Sequence, residues 1–181
     1  MADKTIASYA VSMGKQIRFY RVPTDDWYIE RSVWLIAGAV LSLSTLLAFF
    51  IHPIWILLVV VTGLSSILVA LTGFCIPGNL LHLLGFKGKL ATEPPPRWNA
   101  YFLQTDSWYL ERRIYLVVGI NISVAALLSL CHSAGWLIFT GFVGVAMLGF
   151  AYTGFCIMAN ALYWWGAEPR LSPQHNSDQG R

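Results

Sequence analysis

Two cysteines occupy matching places in a repeated motif, Thr72-Gly73-Phe74-Cys75-Ile76 and Thr153-Gly154-Phe155-Cys156-Ile157. A paired thiol of this kind could accept and relay sulfane sulfur, or sense redox state, because the thiolate is the nucleophile in both. On a continuous helix Thr72, Cys75, Asn79 and His82 share one face by steps of three and four, and so do Thr153, Cys156, Asn160 and Tyr163. Pro77-Gly78 interrupts the first of these faces. No Lys, Arg, Asp or Glu lies within a helical turn of either thiol to lower its pKa. Packing is the other reading, since cysteine behaves as a small apolar residue. Cys131 is a lone thiol whose counterpart in the repeat is Phe50.

Histidine chemistry has less to build on. His52 and His132 fall in expected turns, and Cys131-His132 lacks the second pair a four-ligand zinc site needs. No metal and no cofactor are expected.

The elements that must position these groups follow from charge. Of 181 residues, 56% are apolar and only 12% are charged, about half the usual share. The mean hydropathy is +0.58. Too few charges remain to cover a water-soluble surface. A soluble enzyme and a nucleic-acid binder are poor fits. No Asp, Glu, Lys or Arg occurs in residues 32–86 or 114–167, runs of 55 and 54. A span needs about 20 apolar residues, so each run predicts two spans and a tight turn. The expected spans are 33–51, 54–76, 114–132 and 135–158. The fold class is all-α integral membrane, with an N-terminal interfacial helix added.

All 12 Lys and Arg lie in residues 1–31, 87–113 and 168–181. Two hairpins place these three segments on one side of the membrane. The rule that cations stay inside makes that side cytoplasmic. A multi-pass protein of a bacterial inner membrane, with both termini cytoplasmic, is expected. The net charge of +3 then suits contact with anionic lipid heads. No cleavable signal peptide is read in the first 30 residues.

The chain repeats itself. Residues 24–87 and 105–168 align at an offset of 81 with 22 identities in 64 positions and no gap. The expected organisation is an amphipathic arm (1–23), a first two-helix repeat (24–87), a Pro-rich linker (88–104), a second repeat (105–168) and a disordered tail (169–181). Trp98, Tyr101 and Phe102 of the linker are expected at the headgroup level. Units of two spans insert in the same orientation, which predicts a pseudo-two-fold axis along the membrane normal. Inverted repeats, the mark of many transporters, are excluded by this parity.

Repeated positions have physical readings. Thr24 or Asp25, and Thr105 or Asp106, are expected N-caps. Trp27, Tyr28, Glu30, Arg31, Trp108, Tyr109, Glu111 and Arg112 are expected interfacial anchors on the cytoplasmic side, with Trp55 and Trp136 on the other. Gly38 with Ser42, and Gly119 with Ser123, are small residues four apart that let helices approach. Gly63 with Ala70, and Gly144 with Ala151, suggest a second close seam. Asn121, aligned with Val40, is the amide in mid-span and is expected to bond a neighbouring helix. Ion pathways and proton relays usually carry intramembrane charges, and these spans have none.

The acid-Arg pair before a Gly-bearing hairpin, closing in Thr-Gly-Phe-Cys and a turn with Gly, resembles the YgaP-like inner-membrane domain (DUF2892 family). Cys75-Ile76-Pro77 and Leu83-Leu84-Gly85 are similar to its Gly-x-Cys-Pro and Leu-Leu-Gly motifs. Cys156-Ile157-Met158 and Trp164-Trp165-Gly166 depart from them. The resemblance implies a two-helix module that pairs with another copy, both copies being supplied here by one chain. Some such proteins carry a rhodanese sulfurtransferase domain; none is expected in these 181 residues, so sulfur chemistry carries over from the resemblance only as an alternative. The resulting expectation is a non-catalytic membrane scaffold or accessory subunit, with lipids and partner membrane proteins, or further copies of itself, as partners. Alternatives are sulfur relay through Cys75 and Cys156 with a cytoplasmic sulfurtransferase, and a small-solute pore.

Overall fold

A left-handed glycine decides where each second span stops. The computed structural model describes residues 19–92 and 100–171. It is all-helical. Helix α1 (Ile29–Phe50) leads through a 3-10 turn (Pro53–Trp55) into α2 (Ile56–Thr72) and a short α3 (Ile76–Leu83). After the linker come α4 (Leu110–Cys131), α5 (Trp136–Thr153) and a short α6 (Ile157–Trp164). Four of these, α1, α4, α5 and α2 with its 3-10 turn, are long and apolar enough to cross a membrane. The 22 residues of α1 and of α4 rise about 33 Å, which matches a hydrocarbon core of about 30 Å.

α1 and α4 begin before the expected spans, and α2 and α5 end before them. α1 starts at Ile29, not residue 33, and α4 at Leu110, not 114. Glu30, Arg31, Glu111 and Arg112 therefore lie inside the first helical turns. The N-caps are Tyr28 and Tyr109, without a side-chain cap, rather than Thr24, Asp25, Thr105 or Asp106. The orphan first amides are met by backbone instead. Ile29 N–H donates to Lys87 C=O (3.0 Å), and Leu110 N–H to Glu168 C=O (2.8 Å).

At the other end, α2 stops at Thr72 and α5 at Thr153, not at 76 and 158. Gly73 (φ 76°) and Gly154 (φ 68°) take the left-handed conformation that closes helices. The chain turns there, and Cys75 and Cys156 become N-caps of α3 and α6. The continuous polar face through Thr72, Cys75, Asn79 and His82 is thus broken at Gly73. Its counterpart through Thr153, Cys156, Asn160 and Tyr163 is broken at Gly154. Pro77 is not the breaker, since it sits in the first turn of α3, where its missing N–H is harmless.

Helix pairing runs mainly between the repeats. α1 packs chiefly on α5, and α2 on α4, with fewer contacts within each hairpin. Glycine makes these crossings close. A Cβ on Gly38 would lie 2.9 Å from Gly144 C=O, and one on Gly144 would lie 2.5 Å from Ser42 Oγ. The other pair repeats this. A Cβ on Gly119 would be 2.8 Å from Gly63 C=O, and one on Gly63 would be 2.6 Å from Ser123 Oγ. The residues read as two separate seams are opposite walls of the same seams. Ala70 and Ala151 are fully buried on them. Near the N-terminal ends of α1 and α4, Trp34 stacks on Phe150 (4.4 Å) and meets Tyr115, 81 residues on, at 6.2 Å. Outward, the long helices present Leu43, Leu46, Leu57, Val61, Ile138 and Phe142.

Segments read as arm, linker and tail join this core. Tyr20, Val22, Leu90, Tyr101, Leu103 and Leu171 are all buried. Tyr101 is therefore enclosed by the chain itself, and residues 169–171 are packed rather than disordered. The rest of the proposed arm (1–18), the Pro-rich stretch with Trp98 (93–99) and the tail from 172 lie outside the described residues.

Candidate functional site

Glu30, Arg31 and Asn79 each gather three side-chain hydrogen bonds, and Glu111, Arg112 and Asn160 repeat the pattern 81 positions later. Each Glu stands in the first turn of a long helix, where the helix dipole favours a negative charge. Glu30 Oε1 accepts from Leu90 N–H (2.6 Å) and Tyr101 O–H (2.9 Å), and Oε2 from Lys89 N–H (3.1 Å). Glu111 accepts from Leu171 N–H (2.8 Å), Tyr20 O–H (2.8 Å) and Arg170 N–H (3.1 Å). Both carboxylates are buried. They pin the chain that follows each short helix.

Each neighbouring Arg closes the far helix of the other repeat. Arg31 Nε donates to Ala151 C=O (2.7 Å), and Nη1 to Thr24 C=O (2.9 Å) and Asp26 C=O (3.0 Å). Arg112 makes the same three bonds with Ala70, Thr105 and Ser107 (2.7, 2.9 and 3.0 Å). A guanidinium fork suits this, offering several donors in one plane at the negative end of a helix. Trp27 and Trp108 cover the two guanidinium groups at 4.0 Å. Among the described residues no carboxylate pairs with Arg31 or Arg112, and the ion pair present is Arg170–Asp106.

Each Asn reads an extended segment from both sides. Tyr101 N–H donates to Asn79 Oδ1 (2.9 Å), while Asn79 Nδ2 donates to Tyr101 C=O (2.9 Å) and Cys75 C=O (2.9 Å). Asn160 does likewise with Tyr20 and Cys156. Two residues on, Leu103 N–H donates to Gly73 C=O (2.8 Å) and Val22 N–H to Gly154 C=O (3.0 Å). The segment before each repeat therefore fills a groove whose floor is a short helix. The linker segment lies on the first repeat and the N-terminal segment on the second.

No family model, no curated protein and no solved structure matches the chain.

The thiols are poorly placed for nucleophilic work. Cys75 is buried and its Sγ accepts from Gly78 N–H at 3.3 Å. Burial pushes its pKa up to about 11, against which that hydrogen bond acts. Burial also raises Cys156, which is half-buried. Cys131 is exposed, and all three thiols are free. Burial, then the neighbouring Glu, holds Tyr20 and Tyr101 well above the usual tyrosine range, so both stay hydrogen-bond donors. At the rim, the hydrogen bond from Arg170 lowers the Asp106 carboxyl.

The other predicted residues divide cleanly. Of the anchors, Trp27, Trp108 and Trp136 face outward and Trp55 is half-buried. Tyr28, Glu30, Arg31, Tyr109, Glu111 and Arg112 are buried instead, because they serve the helix ends. Thr72 and Thr153 hydroxyls bond back to Leu68 and Gly149 carbonyls. His82 is half-buried, as is Tyr163, whose ring lies 6.4 Å from that of Tyr20. Asn121 bonds its own helix at Val117 C=O (2.8 Å) and faces outward, not toward a neighbouring helix. Among the described residues no cluster of three His, Cys, Asp or Glu could hold a metal.

Tyr20, Tyr101, Leu90 and Leu171 were missed as partners. Their signal was present, since Tyr20/Tyr101 and Leu90/Leu171 are identities at the same offset, just outside the aligned window.

Proposed function

We propose that the chain is a multi-pass protein of a bacterial inner membrane, a non-catalytic scaffold or accessory subunit acting through lipids and partner membrane proteins. Two two-helix units, related by a pseudo-two-fold axis along the membrane normal, hold both termini and the linker on the cytoplasmic side. The reading includes the resemblance to the YgaP-like domain, with one chain supplying both copies of a paired module. One observation carries it. The buried ionisable groups Glu30, Arg31, Glu111 and Arg112 are spent on this chain's own backbone and tyrosines, while the long helices turn apolar side chains outward. Such a surface offers lipid and helix contacts. Sulfur relay through Cys75 and Cys156 is disfavoured by burial, which keeps both thiols protonated.

Affinity capture from mild-detergent extracts of native membranes, with mass spectrometry, tests the proposal. A discrete set of membrane proteins at constant stoichiometry is expected. Recovery of the chain alone, bearing persulfide on Cys75 or Cys156 after exposure to a sulfane-sulfur donor, overturns it in favour of the relay.

A further inference from the structure

The two repeats differ at one place on their outer surfaces that lipid cannot serve. Asn121 stands near the middle of α4 on its outward side, where the first repeat has Val40. Among the described residues its amide makes one hydrogen bond, from Nδ2 back to Val117 C=O at 2.8 Å. Oδ1 and the second N–H are left toward the hydrocarbon, which offers neither donor nor acceptor.

Asn121 is also in register with its neighbours. Val117, Asn121, Val124, Leu128 and Cys131 follow one another by steps of four, three, four and three, all exposed or half-buried. That spacing is the seam of a left-handed helix pair, and one Asn within such a seam fixes register and number of strands. The matching stripe on α1 (Ile36, Val40, Leu43, Leu47, Phe50) is wholly apolar.

We infer that this face of α4 pairs with the same face of a second copy of the chain. The argument is donor–acceptor complementarity across the two amides. An amide carries a donor and an acceptor side by side, so a copy turned by a two-fold axis presents Oδ1 to Nδ2 and Nδ2 to Oδ1. Two copies in one membrane share their orientation, so equal heights meet and Asn121 faces Asn121. Because α1 lacks the amide, the contact is made once per chain. The assembly closes as a dimer instead of growing. The inference rests on the membrane reading above.

Cys131, exposed at the end of the stripe, supplies the test. Membranes containing the full chain are washed with alkaline carbonate and oxidised with copper phenanthroline. Retention in the membrane and a disulfide-linked species of twice the chain mass are expected, absent in Cys131→Ser. Asn121→Val copies the first repeat and removes only an outward group. It is expected to lower the cross-linked fraction about ten-fold, within the range for an interhelical amide contact, whereas Asn121→Gln keeps it. Release by carbonate overturns the membrane reading, and the dimer with it. Retention with no linked species, a species containing a different polypeptide, or an unchanged yield in Asn121→Val overturns the dimer alone.

Discussion

Arg31 and Ala151 are 120 residues apart in sequence, and a single hydrogen bond of 2.7 Å joins the guanidinium Nε of one to the backbone carbonyl of the other. It ties the start of α1 to the last turn of α5. Its counterpart, Arg112 to Ala70, ties the start of α4 to the last turn of α2.

Removing that fork strands three carbonyls near a buried helix end. Arg31→Ala is expected to destabilise the protein by about 2–4 kcal/mol, given charged hydrogen bonds of about 1.5–3 kcal/mol and the cost of an unmet buried acceptor. Arg31→Lys is expected to recover less than half, because an ammonium cannot reproduce the planar fork. Thermal unfolding in detergent, read by size exclusion, measures both. Equal stability of Arg31→Ala and the parent chain would show that the fork is incidental.

Gly144 and Gly149 lie on the same helix with opposite surroundings. A methyl at Gly144 meets Ser42 Oγ at 2.5 Å and Ser42 N at 2.9 Å, while one at Gly149 meets nothing within 4 Å. Gly144→Ala is expected to cost about 1–3 kcal/mol by overpacking the α1–α5 seam. Gly149→Ala is expected to be neutral or to gain up to about 1 kcal/mol from helix propensity. The same unfolding assay ranks them, and the reverse order would mean that the seam is not where the protein is tight.

The thiols give a pH prediction. In the folded chain Cys75 keeps its proton to about pH 11, whereas an ordinary unfolded cysteine releases it near 8.5. The folded pKa is raised. The contribution of Cys75 is therefore fully present below about pH 8.5 and is lost as pH rises toward 11. Maleimide at pH 7 is expected to label Cys131 first, Cys156 slowly and Cys75 only after unfolding. Mass spectrometry of digests taken over time follows the order, and early labelling of Cys75 would restore a case for thiol chemistry.

Much of the architecture was readable because charge is scarce here. The gap from Ser32 to Phe86 marked α1 and α2, and the gap from Ile114 to Ala167 marked α4 and α5. The small residues Gly38, Ser42, Gly63 and Gly144 stood out by spacing, though spacing alone could not say which helix faces which. The spans ended early because hydropathy cannot distinguish a long helix from two helices broken at an apolar Gly-Phe-Cys corner. Glu30 and Arg31 were visible as a repeated pair, yet looked like surface charges. Their burial depends on backbone groups of Leu90 and Ala151, which no side-chain pattern announces. Asn79 stands near a thiol in sequence, while Tyr101, which it bonds through both ends of its amide, lies outside the aligned stretches 24–87 and 105–168.

The cross-pairing of α1 with α5 and α2 with α4 sets an order of events during synthesis. The first hairpin leaves the ribosome with Gly38, Ser42 and Gly63 facing partners that have not yet been made. Tyr20 waits longest, for Asn160, 140 residues behind it. Until α4 and α5 emerge, α2 and α1 present unmatched faces, and until α6 emerges the segment around Tyr20 has no groove to fill. The newborn protein is thus most exposed to chaperones, and to mistaken pairing with a neighbouring nascent chain, in the interval between its two halves.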